Sequence, residues 1–336
     1  STDYIHKFAV ISVDRNNGKI LWQTIVREEL PYSHTHEFGS WASNSPVTDG
    51  EFIYAYFGSH GLYCLNFQGE LIWERDLGRM EKHMSFGEGS SPALYKDKLI
   101  VLRDHQGQSM LHVLDKGNGE TIWEVERDEI TSWSTPFVIE YNGRIQLVTN
   151  ATNRIRSYDL ETGEVIWECT GMTRNVIPSP IYDKGMIYLM SGFRGYALLA
   201  IHLLKASGDI SGSDAIAWGY DQNTPYTPNP ILMDGLLYFL KTNNGYLTCL
   251  NAKDGTEYYT SQKLEGIKNI FTSPVGVNDR IYIIGTNGVS CVVKCGETYE
   301  LLAQNTLDDQ FFASPVILGD TLYLRGVKAL YCVSKD

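Results

Sequence analysis

Gly119-Glu120-Thr121-Ile122-Trp123 joins a glycine to a short strand ending in tryptophan, and the same spacing returns at Gly18 to Trp22, Gly69 to Trp73 and Gly163 to Trp167. Degraded copies end at Trp218 and Tyr259. A second marker runs beside the first: a small polar residue followed by proline, at Ser45-Pro46, Ser91-Pro92, Thr135-Pro136, Ser179-Pro180, Asn229-Pro230, Ser273-Pro274 and Ser314-Pro315. Successive prolines are 46, 44, 44, 50, 44 and 41 residues apart. A period in the forties, built from strands and turns instead of helical patterns, is the signature of propeller blades.

Residues 91–123 show the grammar of one period. Ser91-Pro92 opens a strand, Lys96-Asp97 turns, and Leu99 to Leu102 runs apolar. A polar loop at Asp104 to Gln108 precedes Met110 to Leu114, and a turn at Lys116 to Gly119 leads into the tryptophan strand. Four short strands separated by Gly, Asn and Asp make an antiparallel meander. Proline cannot donate to a sheet ladder, so it belongs at the head of the first strand. Glycine permits the tight turn, and Trp22, Trp73, Trp123, Trp167 and Trp218 supply planar surface that can wedge between blades.

These periods predict an all-β fold, a single β-propeller domain over residues 1–336 with four-stranded antiparallel blades. The ends leave the count open. Residues 314–336 supply three strands and stop short of a tryptophan strand, while residues 1–27 supply two. Either the amino-terminal tryptophan strand closes a seven-bladed ring, or residues 1–27 are the remnant of a further blade in an eight-bladed one. Either closure removes an exposed sheet edge.

Composition narrows the function classes. A formal charge of -12 repels a phosphate backbone and, with no basic stripe, argues against a nucleic-acid partner. No apolar run approaches the length of a transmembrane helix. Ser1-Thr2-Asp3-Tyr4 shows neither a basic region nor an apolar segment, so no signal peptide is visible, as in a mature processed chain. Cys64, Cys249, Cys291 and Cys332 occupy matching strand positions and read as small buried hydrophobes. Cys169 and Cys295 have no repeat-based explanation.

The Ser-Pro strand, the Leu-Tyr-Cys-Leu strand at Cys64 and the Asp-x-x-x-Gly-x-x-x-Trp signature at Asp14 to Trp22 and Asp159 to Trp167 resemble the pyrroloquinoline quinone (PQQ)-like β-propeller repeat family. The resemblance covers essentially the whole chain. It implies the propeller of the quinoprotein dehydrogenases, whose quinone sits beside a calcium ion, a bonded pair of adjacent cysteines and a catalytic aspartate. This chain has no Cys-Cys dipeptide and no matching metal set, so neither PQQ nor a metal is expected. The chain is also similar to bacterial proteins known only by this repeat, which carry one more Ser-Pro strand upstream and so favour eight blades. The propeller lipoprotein of the outer-membrane barrel assembly machinery is a further relative by fold and works as a protein-binding scaffold. The resemblance thus implies a non-catalytic binding or scaffold module outside the cytoplasm, periplasmic or secreted, taking a protein, glycan or small anionic partner.

Loops that share one end of the blades would line any site. Trp41, His60, Phe86, Glu88, Trp133, Arg174, Asn175, Arg194, Tyr226 and Lys241 fall in them, and this mixture of aromatic and cationic side chains suits an anionic or sugar-like ligand. His34, His36, His83 and His105 crowd the first third of the chain, where neutral imidazoles have the chemistry of a transition-metal site. Loop histidines that only hydrogen bond are commoner, and His-x-His lacks the fixed spacing of a strong motif. The rival to a scaffold is therefore a quinone- or metal-dependent oxidoreductase or hydrolase, which requires those histidines to converge. A carbohydrate-binding propeller requires Trp41, Trp133 or Tyr226 to offer an open ring face.

Overall fold

The structure, a computed structural model, describes residues 2–334. Every regular element except three short 3-10 turns is a strand. The period marked by the prolines is one sheet each time. Residues 93–127 form Ala93–Tyr95, Lys98–Arg103, Ser109–Asp115 and Thr121–Arg127, each antiparallel to the next. The second and third strands are buried on both faces, and the outer tryptophan strand alternates.

Blades I to VII span residues 47–75, 93–127, 137–169, 181–220, 231–263, 275–306 and 316–334. Six carry the full four-strand meander, blade III gaining a short extra strand at Gly208–Asp209. Blade VII has three strands, and His6–Val13 with Ile20–Glu29 makes a two-stranded hairpin. The count is therefore seven, the alternative of the sequence reading, not the eight it favours. The repeat grammar stays silent on the end strands because a leftover strand satisfies the same pattern whichever sheet it joins. The chain divides into two compact units, residues 1–167 and residues 168–336, the division falling inside the strand Val165–Cys169 of blade III.

Within each unit, neighbouring blades are tied by the two sequence markers. In the first, a carbon added at Gly69, Gly119 or Gly163 would lie 2.6, 2.7 or 2.9 Å from the ring of Trp22, Trp73 or Trp123 of the preceding element. Each indole also donates to a carbonyl beyond it: Trp22 to Phe67 (2.9 Å), Trp73 to Lys116 (3.0 Å) and Trp123 to Leu160 (2.9 Å). Trp218 over Gly255 repeats the contact in the second unit. Trp167 departs from it: wholly buried, it donates to the Gln146 amide oxygen at 3.0 Å.

The residue before each proline does more than mark a strand. The Ser91 hydroxyl accepts the Ser45 N–H (2.9 Å), and the Thr135 hydroxyl accepts that of Ser91 (3.1 Å). In the second unit Asn229, Ser273 and Ser314 accept from Ser179, Asn229 and Ser273. A short polar side chain there satisfies a backbone donor that the next residue, proline, cannot replace.

The cysteines are free, and Cys64, Cys169, Cys249 and Cys291 are buried. Cys332 is exposed, against its expected burial, because it lies on the three-stranded blade VII, where Val316, Leu318 and Leu330 are exposed too.

Candidate functional site

Four of the sequence-predicted residues of the first unit, Trp41, His60, Glu88 and Trp133, make bonds within the protein. His60 is buried with its ring between Phe8 (4.4 Å) and Tyr32 (4.8 Å), and its Nδ1 meets Glu29 at 2.7 Å. Both carboxylate oxygens of Glu88 bind Ser59, one its N–H at 2.6 Å and the other its hydroxyl. Trp41 and Trp133 are half-buried pegs whose indoles donate to Ser33 and Gly87, each at 2.8 Å. His60, Glu88 and both tryptophans are thus each held by bonds within the protein.

Of the four candidate metal ligands, His36 and His83 both lie beside the Phe86 ring. His105 is buried with both nitrogens engaged: Nδ1 accepts the N–H of Glu81 (3.2 Å) and of Gly107 (3.1 Å), so the proton sits on Nε2, which donates to Gln108 (2.9 Å). Burial holds its pKa below the usual range. His36 Nδ1 accepts from the Phe38 N–H at 3.2 Å, while His34 and His83 are exposed. Among the described residues no three His, Cys, Asp or Glu side chains are grouped to hold a metal.

The first unit also holds a buried ion pair. Arg127 and Asp104, both fully buried at the side chain, meet at 2.8 Å; Arg127 also donates to Thr149 (3.1 Å) and Tyr158, and Ser132 donates to Asp104 (2.7 Å). The Lys82 ammonium caps this cluster on the Asp104 and Ser132 carbonyls, and burial pushes its pKa down to about 8. Arginine at the end of a tryptophan strand reads as solvated, and its partner lies a loop away. Sequence spacing carries no signal for the pair.

Next to it, the buried Glu129 carboxylate accepts the N–H groups of Asn153 (2.9 Å) and Arg154 (2.8 Å). Burial outweighs the nearby arginines and pushes its pKa up to about 7. A raised carboxyl pKa means the folded state binds the proton more tightly. The resulting stability is fully present below the unfolded value near 4.5 and is lost as pH rises through about 7. Glu129→Gln, neutral throughout, is therefore expected to gain on the wild type between pH 5 and pH 8, by at most about 3 kcal/mol. Melting temperatures across that range check the sign.

The second unit places several predicted residues together. Loops from one end of blades IV to VI are laced: Thr173 donates through N–H and hydroxyl to the Ser191 hydroxyl (2.8 and 2.9 Å), and Thr224 to the Ser191 carbonyl (2.6 Å). The Thr242 N–H reaches Thr224 (3.0 Å), the Tyr226 N–H reaches Thr242 (3.2 Å), and the Ile270 N–H reaches Asn243 (2.9 Å). Gly192 allows the approach, since an added carbon would stand 2.4 Å from the Thr224 carbonyl.

On this belt Tyr226 stacks on Phe193 (4.9 Å, 27°), and the Arg194 guanidinium lies 5.4 Å from the same ring. Arg174 and Arg194 are exposed, and Lys241 half-exposed. None of the three makes an ion pair among the described residues. Asn175 is buried with its amide nitrogen unpartnered. Asn175, Arg194 and Thr242 hold φ near +56°, +53° and +50°, a costly region for residues with a side chain and worst for the branched threonine. Phe193 completes the cluster and escaped the sequence-based site, where it reads as one more loop aromatic.

Consecutive meander blades latched by tryptophan over glycine define a PQQ-like β-propeller of the quinoprotein-like superfamily. The chain belongs to the family described as outer membrane protein assembly factor BamB, whose profile matches residues 6–261 and 111–336. Over 124 residues it is 26% identical to the outer membrane protein assembly factor BamB of Francisella tularensis subsp. tularensis, covering 34% of this chain and 25% of that protein. It is 25% identical to the same factor of Francisella salina, covering 37% and 21%. The match thus spans about a quarter of the length of these curated relatives. Among solved structures, BamB from Moraxella catarrhalis aligns with a TM-score of 0.66 at 16% identity, over 96% of this chain and 89% of that one. A europium-containing methanol dehydrogenase aligns with 0.65 at 11%, over 95% and 79%.

The six cysteines are free, and no two are adjacent in sequence.

Proposed function

We propose that this chain is a non-catalytic, cofactor-independent scaffold that works outside the cytoplasm in outer-membrane protein assembly, holding a partner protein against the laced belt of its second unit. The observation that carries the reading is the Phe193, Arg194 and Tyr226 cluster, mounted on hydrogen-bonded loops and flanked by cations with no ion pair. Tyrosine and arginine dominate the energetic centres of protein interfaces, because each offers a large contact area and a directional polar group. Loops already fixed in their strained conformation lose little further freedom on binding. Membership of a family named for outer membrane protein assembly supports the setting.

Arg194→Glu combined with Tyr226→Ala is expected to weaken association with the assembly machinery by at least about tenfold, while the melting temperature stays near the wild-type value. Co-purification from cross-linked cells, quantified against the wild type, measures it. Undiminished association would remove the belt from the interface.

A further inference from the structure

We propose that the first unit carries a second docking surface, centred on Met84, for an extended polypeptide segment whose apolar side chains are flanked by lysine or arginine. Met84 is 72% exposed at the tip of the turn His83–Ser85. It and Ser85 hold φ of +50° and +54°, two consecutive non-glycine residues in the left-handed region that side chains disfavour.

The surroundings over-determine this strain. Ser85 donates to the Lys82 carbonyl (3.0 Å), Phe86 to that of His83 (3.1 Å), and His36 to that of Phe86 (3.1 Å). The His83 N–H is tied to the Thr131 hydroxyl at 3.0 Å, and Lys82 is anchored on the Asp104 and Ser132 carbonyls. A fold that spends this many bonds to hold a methionine in water is presenting it.

A chain of ring contacts runs up to His83, the residue before Met84. Phe38, 44% exposed, lies beside His36 (5.4 Å), His36 beside Phe86 (5.2 Å), and Phe86 beside His83 (6.1 Å). Methionine with aromatic rings suits varied apolar side chains, because the thioether is flexible and polarizable. Charge selects the occupant. Glu37 and Glu81, next to these residues in the chain, are exposed and make no ion pair among the described residues, whereas the cations nearby are engaged, Arg79 over the Tyr32 ring and Lys82 on the Asp104 and Ser132 carbonyls, so the uncommitted charge favours cationic flanks.

Fluorescence anisotropy with a labelled synthetic peptide of alternating leucine and serine, ended by lysines, tests this on the full chain, against the same peptide ended by glutamates. The lysine peptide is expected to bind, and Met84→Asp with Phe38→Ser to weaken it by about tenfold or more. Glu37→Lys with Glu81→Lys should abolish the preference between the two peptides. Met84→Gly relieves the strained φ, so it should bind less while melting higher; a purely structural Met84 would not separate the two. The Arg194→Glu, Tyr226→Ala variant should bind the peptide as the wild type does, which separates this surface from the belt. Equal binding by wild type and patch variants, equal binding of both peptides, or a self-association lost in the Met84 variant would overturn the proposal.

Discussion

Asp104→Ala is expected to cost about 3–5 kcal/mol, because it leaves the fully buried Arg127 guanidinium without its counter-ion and the Ser132 hydroxyl without its acceptor. The Arg127 pKa is held above its ordinary range by Asp104 against the effect of burial, so the arginine cannot escape the loss by shedding its proton. The cost belongs to the orphaned charge more than to the bond. Asp104→Ala with Arg127→Met should therefore be less damaging than Asp104→Ala alone, since a thioether fills the space without a charge. Denaturation midpoints followed by tryptophan fluorescence measure both. A double variant at least as unstable as the single one would show that the network acts by something other than charge compensation.

Gly119→Ala carries the second large effect. The residue sits at φ +73°, and the added carbon would lie 2.7, 2.9 and 3.0 Å from three atoms of the Trp73 ring. Relief requires the ring to move, which breaks its 3.0 Å bond to Lys116 and disturbs the Arg75 contact on the Gly119 carbonyl. Backbone strain and the lost latch together amount to about 3 kcal/mol. Gly143 is the control: its φ is +76°, but nothing stands within 4 Å of an added carbon. Gly143→Ala should cost about 1 kcal/mol, the strain alone. Equal midpoint shifts for the two variants would mean that tryptophan over glycine is not a latch.

These two sites mark what the sequence discloses and what it hides. Glycine four residues before tryptophan is legible because one short stretch holds both the turn and the wedge, and it repeats with the blade. The polar residue before proline is legible as a marker, but its role as acceptor for the neighbouring blade exists only once blades stand side by side. Asp104 and Arg127 are hidden for the same reason: each alone looks like a solvated loop or strand-end charge. His60 and Glu88 read as ligand groups in the sequence because polar side chains in loops signal a site and an internal peg equally well. Arg194 and Tyr226 were visible as loop residues, whereas their convergence on Phe193 depends on Gly192 letting two loops touch.

The most direct test of the scaffold account is site-specific photo-crosslinking in cells. A photoreactive residue at position 226 is expected to cross-link to a protein of the outer-membrane assembly machinery, and one at Ile122, exposed on an outer strand, is not. Cross-links at position 226 that vanish with Arg194→Glu would place the partner on the belt. Equal cross-linking from both positions, or none at 226 while the machinery still co-purifies, would contradict it.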